Sequence, residues 1–113
     1  GTFMPALAEK AGFRMIPLFL DPDGNFPNHH PNPMLEKNRA DAKKALLENH
    51  ADIAFIFDGD ADRVIVLDEK GEQVNSSVIS AVIAEHILST EKSAKFIGNA
   101  VASHNFRDFA VEQ

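Results

Sequence analysis

At 113 residues, with 44% hydrophobic and 25% charged residues, the chain has the make-up of an ordinary globular protein with a modest core. Its formal net charge of −6 argues against a nucleic-acid partner and against docking on an anionic membrane. Cysteine is absent, which excludes disulfides and thiol chemistry and fits a reducing cytoplasm, and no apolar run nears the roughly 20 residues of a membrane span.

The chain opens on a predicted helix over 1–12, with Phe3, Leu7 and Ala8 at helical spacing, Pro5 confined to the first turn and Gly12 at the stop. Residues 14–20 follow as a predicted strand, at an edge or irregular position because of Pro17. Residues 21–33 carry four prolines and must form an extended loop. The adjacent His29 and His30 point to opposite faces of an extended chain, so ordinary hydrogen bonding suits them better than sharing an ion. Residues 35–49 predict a surface helix with Leu35, Ala42, Leu46 and possible help from Ala45 as its apolar stripe. Arg39 and the Lys43-Lys44 pair fall on its solvated face.

Residues 53–57 form a short unbroken apolar run, predicting a strand buried on both faces as in parallel sheets. Directly after it comes Asp58-Gly59-Asp60-Ala61-Asp62-Arg63. On a straight strand, side chains two apart lie roughly 6–7 Å from each other. A hard dication holds its oxygens at about 2.0–2.6 Å, so the loop must curl to bring three carboxylates to one ion. Gly59 and Ala61 are small enough to allow it. All-oxygen ligands select Mg²⁺, Mn²⁺ or Ca²⁺ over zinc or copper. Asp58, Asp60, Asp62 and Glu69 also match positions one, three, five and twelve of an EF-hand loop. Arg63 occupies the position that needs glycine there, and the flanks are apolar and β-rich rather than helical. On a chain this acidic, an anion site has to be built locally, from a bound cation and an arginine such as Arg63.

Residues 64–67 predict a second strand, and Asp68-Glu69-Lys70-Gly71 a turn, after which 72–74 return as a hairpin arm. Asn75 or Ser76 caps a further helix whose stripe is Val78, Ile79, Val82, Ile83, Ile87 and Leu88. A short strand at 95–97, a turn at Gly98-Asn99 and a helix over 105–112 complete the predicted elements.

Taken together, Phe57-Asp58-Gly59-Asp60-Ala61-Asp62-Arg63 resembles the metal-binding loop of the α-D-phosphohexomutases, the phosphomannomutase and phosphoglucomutase superfamily. Pro22-Asp23-Gly24-Asn25-Phe26-Pro27-Asn28-His29-His30-Pro31-Asn32-Pro33 is similar to the segment upstream of that loop, and Val64-Ile65-Val66-Leu67-Asp68-Glu69-Lys70-Gly71-Glu72 to the strand and turn after it. Ala61 leans toward the bacterial phosphomannomutase/phosphoglucomutase branch. The resemblance implies a three-layer α/β/α domain with a mixed sheet, truncated at both ends. Residues 1–72 would be the family's second, metal-binding domain without its first strand, and 73–113 the beginning of the third. The segment 21–33 would form a wall near the metal loop. Asp58, Asp60 and Asp62 would hold Mg²⁺, with an oxygen of a phosphoserine outside this chain as a further ligand. Arg63 would act on the phosphoryl group in transit between the two ends of a mannose or glucose phosphate. Ala102-Ser103-His104-Asn105 looks like the family's phosphoserine motif, but it is followed by Phe106 and lies after the metal loop rather than before it. A stand-alone Ca²⁺/Mg²⁺-binding module is the competing reading. Missing strands would leave open sheet edges, from which self-association is expected.

Overall fold

The computed structural model describes residues 2–97, so the expectations for Gly98-Asn99, Ser103 and 105–112 lie outside the described residues. In chain order the elements are α1 (Met4–Ala11), a 3₁₀ turn (Glu36–Arg39), α2 (Ala40–Glu48), β1 (Ala54–Phe57), β2 (Val64–Leu67) and α3 (Ser76–Thr90). By contact the chain divides into two compact units, with the boundary between Gln73 and Val74.

In the first unit β1 and β2 form an antiparallel pair, with Ala54 opposite Leu67 and Phe57 opposite Val64. The expected mixed sheet is therefore represented, among the described residues, by one hairpin. Its interior is a cluster of Leu46 from α2 with Ile65 and Leu67 from β2, against which Ala51, Ala54 and Ile56 pack. Leu67 is the tightest point, 2% exposed. The prediction that β1 is buried on both faces fails: alternation sends Ile56 to the core and leaves Phe55 47% exposed.

Past β2, Asp68 organises the turn, its Oδ1 accepting from the backbone N–H groups of Lys70 (3.0 Å) and Glu72 (2.8 Å). Gly71 has φ 74°, a conformation that favours glycine, and returns the chain so that Gln73 pairs with Leu67. A Cβ at Gly71 would stand 2.8 Å from Cγ of Lys43, whose stem lies across the turn while its Nζ meets Glu72 at 3.5 Å. Lys43 is thus tied to the turn rather than simply solvated; Lys44 keeps the exposed role, 3.9 Å from Glu48.

The surface helix predicted over 35–49 is split. Its first turn is 3₁₀, and there Asn38 is buried and donates from Nδ2 to the Asn32 carbonyl at 2.8 Å. Arg39, expected in solvent, is half-buried and its Nη1 donates to the carbonyls of Pro33 (2.7 Å) and Met34 (3.1 Å). These bonds fasten the proline-rich loop to the start of α2. Residues 14–20 are not a strand: Pro17 offers no N–H and Phe19 turns the chain at φ 52°. Residues 95–97 are likewise irregular.

The second unit contains α3, capped by Asn75, whose Oδ1 accepts from the Ser77 N–H at 2.8 Å. Of its apolar residues only Ala84 is buried; Val78, Val82, Ile83 and Ile87 are exposed within the described residues, so the predicted stripe has no full cover among them. No helix of the described residues is long and apolar enough to cross a membrane.

Candidate metal centre

Antiparallel pairing puts the acidic sequence where two strand ends must be joined, on the loop between Phe57 and Val64. Strands rather than helices flank it, which removes the EF-hand reading. The loop closes on itself: the Asp58 N–H donates to the Arg63 carbonyl (3.3 Å) and the Ala61 N–H to the Asp58 carbonyl (3.2 Å). Ala61 takes φ 60°, the left-handed conformation that makes the chain curl. For a residue with a Cβ that conformation costs roughly 1–2 kcal/mol. Ala61→Gly is therefore expected to raise stability by about 0.5–1 kcal/mol in urea unfolding, after allowance for the looser unfolded chain. A less stable glycine variant would mean that burial of the methyl group outweighs the strain.

The curl brings one carboxylate oxygen from each of Asp58, Asp60 and Asp62 within 4.8 Å of one another. Asp58 is the buried anchor, 7% exposed, while Asp60 and Asp62 are exposed. Its Oδ1 accepts from the Arg63 backbone N–H (3.1 Å) and its Oδ2 from Arg63 Nε (2.7 Å). Arg63 Nε also reaches Asp62 Oδ1 at 3.3 Å. Loss of water pushes the Asp58 carboxyl up, but the Arg63 N–H and the Arg63 guanidinium together hold it below its ordinary value. Hydrogen bonding and charge from Asp58, and then Asp62, raise the Arg63 pKa in turn.

These donors fit a hard dication. Around Mg²⁺ two adjacent oxygens stand about 3 Å apart and two opposite ones about 4.2 Å, so the exposed Asp60 and Asp62 side chains must rotate inward to close the set around an ion. Asp58 spends one acceptor site of each oxygen on Arg63, and each oxygen keeps a second. The loop also has a wall: Phe26 and Pro31 of the proline-rich segment stand against Gly59. His29 is turned elsewhere, its ring edge-on to Phe19 at 5.6 Å and its Nδ1 3.0 Å from the His30 carbonyl. Sequence spacing singled out the aspartates and Arg63 but not Phe26 and Pro31, whose contact with Gly59 is distant in the chain, nor Asn38 and Arg39, which bond carbonyls five or six residues back.

Residues 1–71 match the family model described as phosphoglucomutase/phosphomannomutase, alpha/beta/alpha domain II. The chain belongs to the phosphoglucomutase/phosphomannomutase family. It is 41% identical over 97 residues to a phosphomannomutase/phosphoglucomutase of Pseudomonas putida, a match covering 86% of this chain and 21% of that protein. A phosphomannomutase of Escherichia coli K12 is 39% identical over 98 residues, 87% of this chain and 22% of its own. Among solved structures, a phosphoglucomutase/phosphomannomutase family protein from Burkholderia thailandensis superposes with a TM-score of 0.73 at 37% identity, covering 80% of this chain and 20% of that one. The chain thus spans about a fifth of the length of the curated relatives it matches. Its α/β architecture is that of the family's domain II.

Proposed function

We propose that this chain carries the Mg²⁺ site of a phosphohexomutase that interconverts hexose 1-phosphate and 6-phosphate, with mannose or glucose as the sugar. In this reading the phosphoryl group passes by way of a phosphoserine and a bisphosphosugar, and both the serine and the sugar-binding groups lie outside the 113 residues. One observation carries the reading: three aspartate oxygens converge within 4.8 Å on the hairpin loop, beside an arginine anchored by two of those aspartates.

Asp58, Asp60 and Asp62 would hold the ion, which when bound acts as a Lewis acid and offsets charge on the transferring group. The residues divide the remaining work. Asp58 orients Arg63 by binding its Nε and its backbone N–H, which fixes the direction of the guanidinium. The two Nη groups take no acceptor among the described residues, and they present a fork that suits phosphate oxygens. Arg63 would thus steady the phosphoryl group in transit. Residues 1–72 act as the metal-binding domain and 73–113 as the start of the next; the division of contacts between Gln73 and Val74 supports that reading. Function in the cytoplasm fits the absence of cysteine.

The test is a titration of the 113-residue chain with Mn²⁺ followed by electron paramagnetic resonance, alongside a coupled mutase assay and sedimentation velocity. Weak Mn²⁺ binding that Mg²⁺ displaces, with no turnover, is the expected result. A chain that binds no Mn²⁺, or that strongly prefers Ca²⁺, overturns the site assignment; turnover by the chain alone overturns the division of labour. No strand pairs with the outer edge of β1 among the described residues, so concentration-dependent dimers are expected in the same samples. A clean monomer at high concentration would exclude a second copy as the partner of that edge.

A further inference from the structure

We propose that Phe26 and Pro31 are positioning residues for the cation centre, forming a buttress that holds Gly59 and thereby sets where Asp60 stands. The inference rests on the metal reading above. Restraint in the carboxylate loop is uneven. Asp58 takes two hydrogen bonds from Arg63, Asp62 takes one at 3.3 Å, and the Asp60 carboxylate takes none among the described residues. Asp60 is held only through its backbone, and the residue before it is Gly59. A Cβ built on Gly59 would lie 3.4 Å from Pro31 Cβ and 3.5 Å from both Pro31 Cγ and Phe26 Cζ. Those are ordinary van der Waals distances, so the face of Gly59 already rests near a solid surface.

That surface is stiff for reasons that can be traced residue by residue. Asp23 Oδ1 accepts from the Asn25 N–H (2.9 Å) and the Asp23 carbonyl from the Phe26 N–H (3.0 Å), which locks a turn and leaves Phe26 at φ 49°. Around Pro31 the Asn32 N–H donates to the His30 carbonyl at 2.8 Å, a three-residue turn that the proline ring favours. The next carbonyls, of Asn32, Pro33 and Met34, are gripped by Asn38 and Arg39. Hydrogen bonds therefore lead from the head of α2 to the turn at Pro31, and from there to Gly59 the link is the van der Waals spacing of the proline ring.

The experiment measures Mn²⁺ affinity by electron paramagnetic resonance and folding by circular dichroism on the full 113-residue chain. Phe26→Ala is expected to weaken Mn²⁺ binding about tenfold, the lower end of what outer partners of metal ligands contribute, with the fold retained because the ring is half-exposed. Phe26→Leu should restore most of the affinity. Gly59→Leu should push against the wall, displace the loop and weaken binding. Combining Gly59→Leu with Phe26→Ala should recover part of the loss, a coupling that a general effect on stability does not produce. Unchanged affinity in both Phe26→Ala and Gly59→Leu overturns the buttress and leaves the metal site standing. If Phe26→Ala fails to fold, Gly59→Leu and its affinity decide the question alone. Absence of Mn²⁺ binding by the parent chain overturns both the buttress and the reading it rests on.

Discussion

Asp58→Asn is expected to weaken Mn²⁺ binding by at least about a hundredfold, more than the same change at Asp60 or Asp62. Loss of groups that merely support a metal ligand already costs about 10- to 100-fold, and a ligand itself should cost more. Asp58 differs from its two neighbours in being buried and in taking Arg63 on both of its oxygens. An asparagine there must turn its NH₂ toward either the Arg63 N–H or the Arg63 Nε, placing donor against donor. The variant thus loses a ligand charge and releases the arginine that the phosphoryl group would meet. Asp60→Asn removes a charge but leaves that ion pair intact, so its loss is expected to be smaller than that of Asp58→Asn while exceeding that of a supporting residue such as Phe26. Equal affinities for Asp58→Asn and the parent chain would show that the ion, if bound, sits elsewhere.

The second large effect concerns stability. Leu67→Ala is expected to cost about 2–5 kcal/mol, the range for removing a fully buried leucine from a core that relaxes only in part. Leu67 lies between Leu46 of α2 and the inner face of β1, and its backbone pairs with Ala54 on one side and Gln73 on the other. Few other residues in the first unit are as deeply buried, and small domains have only about 5–15 kcal/mol of stability at most. Urea unfolding followed by circular dichroism should therefore show Leu67→Ala largely unfolded or with a much lower midpoint. Leu67→Met, which nearly conserves volume, should cost less than about 1.5 kcal/mol. Similar midpoints for the alanine variant and the parent would mean that the cluster does not hold the hairpin to α2.

What could be read before folding was what is local. The aspartate spacing, the turn ending at Gly71 and the cap at Asn75 each depend on a few successive residues, and each is found where expected. The strand at Ala54–Phe57 was legible too, but its surroundings were not. Four apolar residues in a row announce burial without saying which strand pairs or which face stays open. Residues 14–20 misled for the opposite reason, their apolar content being real but Pro17 and the turn at Phe19 denying them a ladder. The first turn of the helix region was missed because Asn38 looks like any surface asparagine until the Asn32 carbonyl is beside it. The wall against Gly59 was equally silent, since Phe26 and Pro31 meet it only once the chain has folded back.

A lysine laid flat over a glycine couples amine chemistry to backbone shape. Acylating the Lys43 amine would erase the charge that meets Glu72 and add bulk at the tip of a side chain whose stem lies on Gly71. A covalent mark on one helical turn would then be felt at the exit of the hairpin, on the strand whose other end begins beside Arg63.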